Sequence, residues 1–391
     1  MLATVLALLA FPHYTSLLLS AAELEDLKAA AGRRDLRVAA LADRLRADAE
    51  RRFAQGPWSV TFHRPKGIQI GVHDFFSEGP YWWPDPKNPG GPYIRRDGET
   101  NPDRFVENDR DLGEMGEAVL SLGAAAFLFD DERFAGRAAE AMRVWLVDEK
   151  TRMNPNLEYG QAIHGVTQGR GIGIIDTRPL IWVAQGAALL ESTGRWKAAE
   201  RDAVKQWLRD YLRWLTTSQK GLEEKKNGNN HSTWWAAQAA AYAAFAGDKA
   251  TLEMVWQTHR NYLVPQEIRP DGSCPAEEAR TKSLGYSSMN LDGFAMLCRL
   301  ARHQGADLWS FRLENGAGVE RAVEYLAPFV ERPEAWKKQQ ISPYRNDRQY
   351  FLALAGMDLG KPKYAGLYKR LAWGRNNSPW FLLLDMVVAL R

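Results

Sequence analysis

Cysteine is nearly absent from this chain of 391 residues: Cys274 and Cys298 are the only two. That excludes a disulfide framework and a four-thiolate zinc site, and leaves a single bridge between them open. The histidines, at His13, His63, His73, His164, His231, His259 and His303, are scattered without HExxH spacing, so neither a catalytic metal nor a cofactor is expected. Charge of one sign is also missing. The formal balance is only +3, and no basic stripe is interleaved with aromatics, which argues against a nucleic-acid partner. The apolar opening run, residues 1–10, is too short to cross a membrane, so no membrane span is expected. No basic residue precedes it. It reads as the remnant of an export signal or as the first turns of a helix, and the expectation is a periplasmic or secreted protein. No stretch sustains strand alternation with hairpin signals.

What is present is helical periodicity and tryptophan. Hydrophobic residues at 45% and charged residues at 25% place the chain among globular proteins. Fifteen tryptophans offer flat faces for sugar rings, although most are expected to fill the core. Residues 17–53 read as one helix, with Ser20 as cap and Glu23 as its capping-box partner. Residues 54–103 break the pattern with a long, aromatic, Pro- and Gly-rich stretch. Loops of this length tend to be functional or disordered, and the aromatics favour an ordered lid or cleft wall. Helices are expected over 110–128, 131–148, 177–193, 196–219, 232–246, 248–263, 287–304, 317–331, 345–356, 361–370 and 380–390, with Gly194, Gly247, Gly305 and Pro333 at stops. Paired helices of this kind suit an α/α toroid or an α-solenoid. No linker divides them, so residues 17–391 are expected to form a single domain behind a leading segment, 1–16.

Three polar connections carry the candidate chemistry. In the first, Asn227-Gly228-Asn229-Asn230-His231-Ser232-Thr233-Trp234-Trp235 runs into an alanine-rich helix. A helix start presents free N–H groups and a partial positive charge, which suits a bound carboxylate or phosphate. A plain N-cap cluster with a satisfied histidine accounts for the stretch equally well. The second runs from Cys274 to Ser288 and includes Arg280 and Tyr286. With Gly285 between them, Tyr286 is expected at the start of a helix opened by Ser287 or Ser288, with Arg280 on the loop before it. A guanidinium and a helix N-terminus both favour a phenolate and would lower the tyrosine's pKa from about 10, making it a general base. Taken alone, a tyrosine tucked under a loop is the commoner arrangement. The third connection runs from Asn154 through Asn156, Gln161 and His164 to Gly169-Arg170-Gly171.

The run Asn230-His231-Ser232-x-Trp234-Trp235 with Arg280 and Tyr286 resembles the α/α-toroid alginate lyases and their glucuronan-cleaving relatives. Tyr81-Trp82-Trp83-Pro84-Asp85-Pro86, Pro92-Tyr93-Ile94, Asp97-Gly98-Glu99-x-Asn101-Pro102 and the third connection resemble the same family in the same order, over residues 55–300 and more loosely to the end. The resemblance implies an all-α toroid and β-elimination on a 4-linked uronate polymer, either mannuronate-containing alginate or β-1,4-glucuronan. An acidic polysaccharide is thus the expected partner, with the oligomeric state left open. Loss of the C5 proton piles charge onto the adjacent carboxylate, which must be neutralised. Asn230, His231 and Arg280 would supply donors. Tyr286 would take the proton and return it to O4 in a syn elimination, with His231 neutral; in an anti elimination His231 would be the base and Tyr286 the acid. Gln161, Asn156, Arg170, His164, Tyr81, Trp82, Trp83, Trp234 and Arg95 are the candidate substrate contacts, with one of Trp82 and Trp83 expected in the core. Two other readings remain. One is an inverting hydrolase, which needs two carboxylates roughly 6.5–9.5 Å apart and for which only Glu277 and Glu278 stand near. The other is a non-catalytic carbohydrate-binding protein.

Overall fold

Ser20 Oγ accepts the Glu23 N–H at 3.2 Å and the Glu23 carboxylate accepts the Ser20 N–H at 2.8 Å, so a capping box opens α1 (Ala21–Gly32). The computed structural model describes residue 14 and residues 17–347, 349–371 and 378–391. The leading segment expected over 1–16 lies outside the described residues, Tyr14 apart. The one helix expected over 17–53 is in fact two. Arg34 takes a left-handed backbone, φ 52°, and Asp35 binds the Arg37 N–H at 3.0 Å. This local bond competes with a continuing helix, and α2 (Ala39–Phe53) starts afresh.

Beyond the lid, helices alternate between a fully packed inner ring and an outer layer. The inner members are α3 (Glu107–Phe129), α5 (Pro179–Glu191), α8 (Asn230–Ala246), α12 (Ser283–His303), α14 (Phe351–Asp358) and α16 (Pro379–Leu390). Each packs on the next, and α16 returns to α3 and α2, closing the ring. Their residues are apolar almost all round, as a helix must be when neighbours cover every face. The outer members are α4 (Glu132–Leu146), α6 (Ala198–Thr217), α9 (Lys249–Thr258), α13 (Val319–Glu331) and α15 (Pro362–Arg370). They bury one stripe and expose charge on the other. This is an α/α toroid.

The tightest crossing is α3 on α5. A Cβ at Gly123 would stand 2.4 Å from the Gly186 carbonyl oxygen, and one at Gly186 would stand 2.4 Å from the Val119 oxygen. Only glycine lets these backbones approach so closely. The helix α3 is long and apolar enough to cross a membrane, but 78% of that stretch is buried inside the protein. Trp145, Trp235, Trp309 and Trp380 are fully buried core residues, while Trp82 and Trp83 are both half-buried. Neither of that pair is in the core, contrary to expectation. Cys274 and Cys298 are buried and free.

Short elements fill the connections: α7 (Gln219–Lys225), α10 (Val264–Glu267) and α11 (Pro275–Glu278). The lid stretch holds β1 (Phe76–Glu78), β2 (Trp82–Trp83) and β3 (Ile94–Arg95), while β4 (Tyr159–Ala162) lies in the third polar connection. β1 pairs parallel with β4, and β2 antiparallel with β3. These ribbons are too short for alternation to register in sequence, which is why no strand was expected. They tie the lid across the polar end of the inner helices.

Candidate active site

The Asn-rich loop before α8 folds as a cap. Asn229 Oδ1 accepts the His231 N–H at 3.0 Å, the Asn229 carbonyl accepts the Ser232 N–H at 2.8 Å, and Glu277 accepts the Asn230 N–H at 2.6 Å. The free N–H groups expected at this helix start are therefore taken, and what remains for a ligand is the dipole and the side chains. His231 Nδ1 meets the buried Glu224 carboxyl at 2.8 Å. With Glu224 ionised, that bond places the proton on Nδ1 and leaves Nε2 as the basic nitrogen. Burial pushes Glu224 upward and His231 opposes the shift. Both Asn230 Nδ2 contacts, at 3.0 and 2.8 Å, also go to Glu277.

Helix α12 opens at Ser283, not at Ser287 or Ser288. Gln340 Oε1 accepts the Leu284 and Gly285 N–H groups at 3.1 and 3.3 Å, a cap from 55 residues away that moves the start back. Tyr286 lies in this first turn, and Arg280 in the turn between α11 and α12. The guanidinium stands 3.9 Å from the Tyr286 ring centroid and donates to its hydroxyl at 2.9 Å. The two residues meet as expected, but the pKa moves the other way. Burial, followed by the Tyr81 hydroxyl at 2.5 Å, outweighs Arg280 and lifts Tyr286 above its usual range. Part of the reason is Asp97, at the lid's tip, which accepts from Arg280 at 2.8 Å and from Thr281 Oγ1 at 3.0 Å. Arg280 is thus already ion-paired.

On the opposite wall Gln161 holds φ 49°, a strained value for a residue with a Cβ. Its Nε2 donates to Asp176 Oδ1 at 2.8 Å, and its Oε1 accepts from Arg170 at 3.0 Å. Ser77 Oγ donates to the other Asp176 oxygen at 2.6 Å. Burial lowers Arg170 to about 10 and raises Asp176, with Ser77, Gln161 and Arg178 opposing. Asp109 is raised to about 7 by burial and the neighbouring Asp176.

These groups enclose one cavity of about 390 Å³. All four expected catalytic residues, Tyr286, His231, Arg280 and Asn230, line it, as do Gln161, Arg170, Tyr81, Trp82 and Arg95. Four expected contacts do not. Asn156 binds the Glu158 N–H at 3.3 Å within its own turn. His164 packs at a tilt against Tyr93, centroids 5.1 Å apart, and lines a separate depression of about 410 Å³. Trp83 donates to the Glu99 carbonyl at 2.9 Å under Arg96. Trp234 is buried, donates to the Met289 carbonyl at 3.2 Å and carries Arg178 over its ring. Of the hydrolase candidates, Glu277 is 1% exposed against Asn230, and Glu278 pairs with Lys338; neither lines the cavity. Asn227 and Asn229, from the first polar connection, also line the walls; sequence reasoning missed Asp176, Arg178 and Met289 there, and Glu224 behind them. No local pattern marks these. Asp97 lies in the Asp97-Gly98-Glu99 run, which by itself assigns it no role.

Residues 64–336 match the family model described as alginate lyase. An alginate lyase from Bacteroides ovatus shares 30% identity at a TM-score of 0.89, over 95% of this chain and 99% of that one. Alginate lyase A1-III from Sphingomonas species A1 matches at 18% identity and TM-score 0.52, over 88% and 89% of the two chains. A variant of A1-III complexed with a tetrasaccharide matches at 18% and 0.56, over 83% and 86%. At such identities the likeness is one of fold. Among curated protein sequences none matches.

Proposed function

The chain belongs to the alginate lyase family and is a polysaccharide lyase, and from that premise we propose that it cleaves a 4-linked uronate polymer, mannuronate-containing alginate or β-1,4-glucuronan, with Tyr286 moving the proton. The observation that carries this reading is the meeting of Tyr286, Arg280 and His231 in one cavity, the phenol 2.9 Å from a guanidinium. Arg280 and His231, with the dipole of α8 behind, offset the charge that builds on the C5 carboxylate as its proton leaves. Tyr286 abstracts that proton and delivers it to O4, so bond cleavage yields a 4,5-unsaturated sugar. Arg170, held by Gln161, and Arg95 grip neighbouring carboxylates, and Tyr81 and Trp82 face the rings.

Because Tyr286 lies above its usual pKa, only a small phenolate fraction exists at neutral pH. A syn elimination with Tyr286 as base therefore gains about tenfold in rate per pH unit until another group intervenes. With His231 as base and Tyr286 as acid, the alkaline rise is absent.

The test is near-ultraviolet absorbance of the unsaturated product. Polymannuronate, polyguluronate and β-1,4-glucuronan are offered separately, across pH, to the protein and to Tyr286→Phe. A rise on one of the first or third polymers that the substitution abolishes supports the proposal. Activity surviving in Tyr286→Phe removes its proton carrier, and a rise on polyguluronate alone removes its substrate.

A further inference from the structure

Asn230 is fully buried, lines the cavity, and sets both its backbone N–H and its side-chain amide against one carboxyl group. Its backbone N–H reaches Glu277 Oε1 at 2.6 Å, and its Nδ2 reaches both Glu277 oxygens at 3.0 and 2.8 Å. Its own Oδ1 is buried without any partner, an arrangement that costs about 1–3 kcal/mol. As it stands, the amide faces Glu277, and Oδ1 is the atom left without a partner. The same heavy atoms admit a second proton arrangement. If Glu277 carries a proton, its O–H can donate to Oδ1 of an amide turned by half a rotation, while the other carboxyl oxygen keeps the Asn230 backbone N–H. The orphan acceptor is then satisfied, and Nδ2 is released to the side where Oδ1 had no partner. An amide turned against an ionised Glu277 would instead set oxygen against oxygen.

We propose that Glu277 is the positioning residue of the site and works in its protonated form, turning the Asn230 amide so that its N–H groups are presented to the substrate carboxylate. This rests on the uronate reading above. The surroundings of Glu277 support a neutral form. On its own segment lie Cys274, Glu278 and Arg280; across from it stand His231 on α8 and Glu267 on α10. Burial is the largest influence and raises Glu277; the Asn230 backbone and side-chain bonds oppose it first, then Arg280 and His231, and Arg280 is already committed to Asp97. Glu267, itself buried and held by Thr233 at 2.8 Å and Asn290 at 3.1 Å, adds a second carboxyl that disfavours two charges side by side. An arriving uronate brings a further negative charge and pushes the equilibrium the same way. Binding and protonation are therefore linked, with the proton drawn from solvent. Glu277 does not line the cavity and acts only through Asn230.

Calorimetric binding of tetramannuronate, and separately of a glucuronan tetramer, to Tyr286→Phe protein from pH 5 to 9 tests this. Two buffers of different ionisation enthalpy report proton uptake. The expected result is an affinity that falls towards tenfold per pH unit above the Glu277 titration, with uptake approaching one proton. Adding Glu277→Gln, whose amide can both donate to Asn230 Oδ1 and accept its backbone N–H, removes that slope and that uptake and keeps the acid-end affinity within about threefold. Adding Glu277→Ala weakens binding at least tenfold at every pH. Equal slopes with and without Glu277→Gln, or a loss beyond tenfold with Glu277→Gln throughout, overturn the inference while leaving the uronate reading intact. Failure of every uronate oligomer to bind the Tyr286→Phe protein overturns both.

Discussion

Replacing Asp97 by Asn tests whether the lid is latched to the catalytic floor through one carboxylate. Asp97 accepts from Arg280 Nε at 3.2 Å and Nη2 at 2.8 Å, from Thr281 Oγ1 at 3.0 Å and from Arg95 at 2.7 Å. The Arg95 contact is discounted, since that side chain is 56% exposed and such pairs are worth little. The two Arg280 bonds are partly buried. Charge-assisted bonds contribute about 1.5–3 kcal/mol each, and neutral ones about 0.5–1.5. Removing the charge therefore costs the latch roughly 2–3 kcal/mol, or about 30- to 150-fold in the closed-lid equilibrium. If substrate must be held under the lid, KM rises by up to that factor, and kcat changes less because Arg280 still reaches Tyr286 at 2.9 Å. The assay is initial-rate absorbance over a substrate series, paired with hydrogen exchange across residues 94–101. Faster exchange there with unchanged KM would show that closure does not gate binding. Unchanged exchange and unchanged KM together would refute the latch.

Two further outcomes follow from the packing. Glu23 is buried, which raises its pKa, yet Arg299 and then the Ser20 N–H bring it down from 4.5 to about 2. Ionised Glu23 therefore stabilises the fold fully above its unfolded pKa and loses that contribution as pH falls from about 5 towards 2, about 3 kcal/mol in all. Thermal melts across this range should show the loss in the native chain and a flatter profile in Glu23→Gln; parallel profiles would assign acid lability elsewhere. Gly123→Ala drives a methyl to 2.4 Å from the Gly186 carbonyl, so the α3–α5 crossing must spread. An unfolding penalty of at least about 1–3 kcal/mol is expected by denaturant titration, and an unchanged midpoint would mean that the crossing is slack.

The inner helices were legible because each is apolar or amphipathic over at least two turns, and the four catalytic candidates because they stand in two polar connections that fold to one cavity. What escaped depends on long-range partners. The start of α12 is set by Gln340, and the state of Arg280 by Asp97, 183 residues earlier. The direction of the Tyr286 shift is not legible locally, because the burial that outweighs the guanidinium comes from distant parts of the chain. The break at Arg34 depends on a left-handed arginine, a conformation that residue type seldom signals. Asn156, His164, Trp83 and Trp234 were named from motif membership, and a motif preserves fold contacts as readily as ligand contacts.

The placement of acids behind the cavity explains how a cationic site can stay folded before any polymer arrives. Arg280 is backed by Asp97, His231 by Glu224, Arg170 through Gln161 by Asp176, and Asn230 by Glu277. Asp97 lies at the exposed lid and is held below the carboxylate range by Arg280 and Thr281 against a burial that would raise it. The other three are pushed upward, in each case chiefly by burial. A carboxylate on the surface would simply cancel the charge meant for the substrate. Glu277, whose ionised form is already disfavoured by burial, can yield its charge when a polyanion enters, because the incoming carboxylates raise its pKa further. Such a site holds Arg280, His231 and Arg170 in place in advance, as transition-state stabilisation requires, without keeping several uncompensated cations together in a cavity of low polarity.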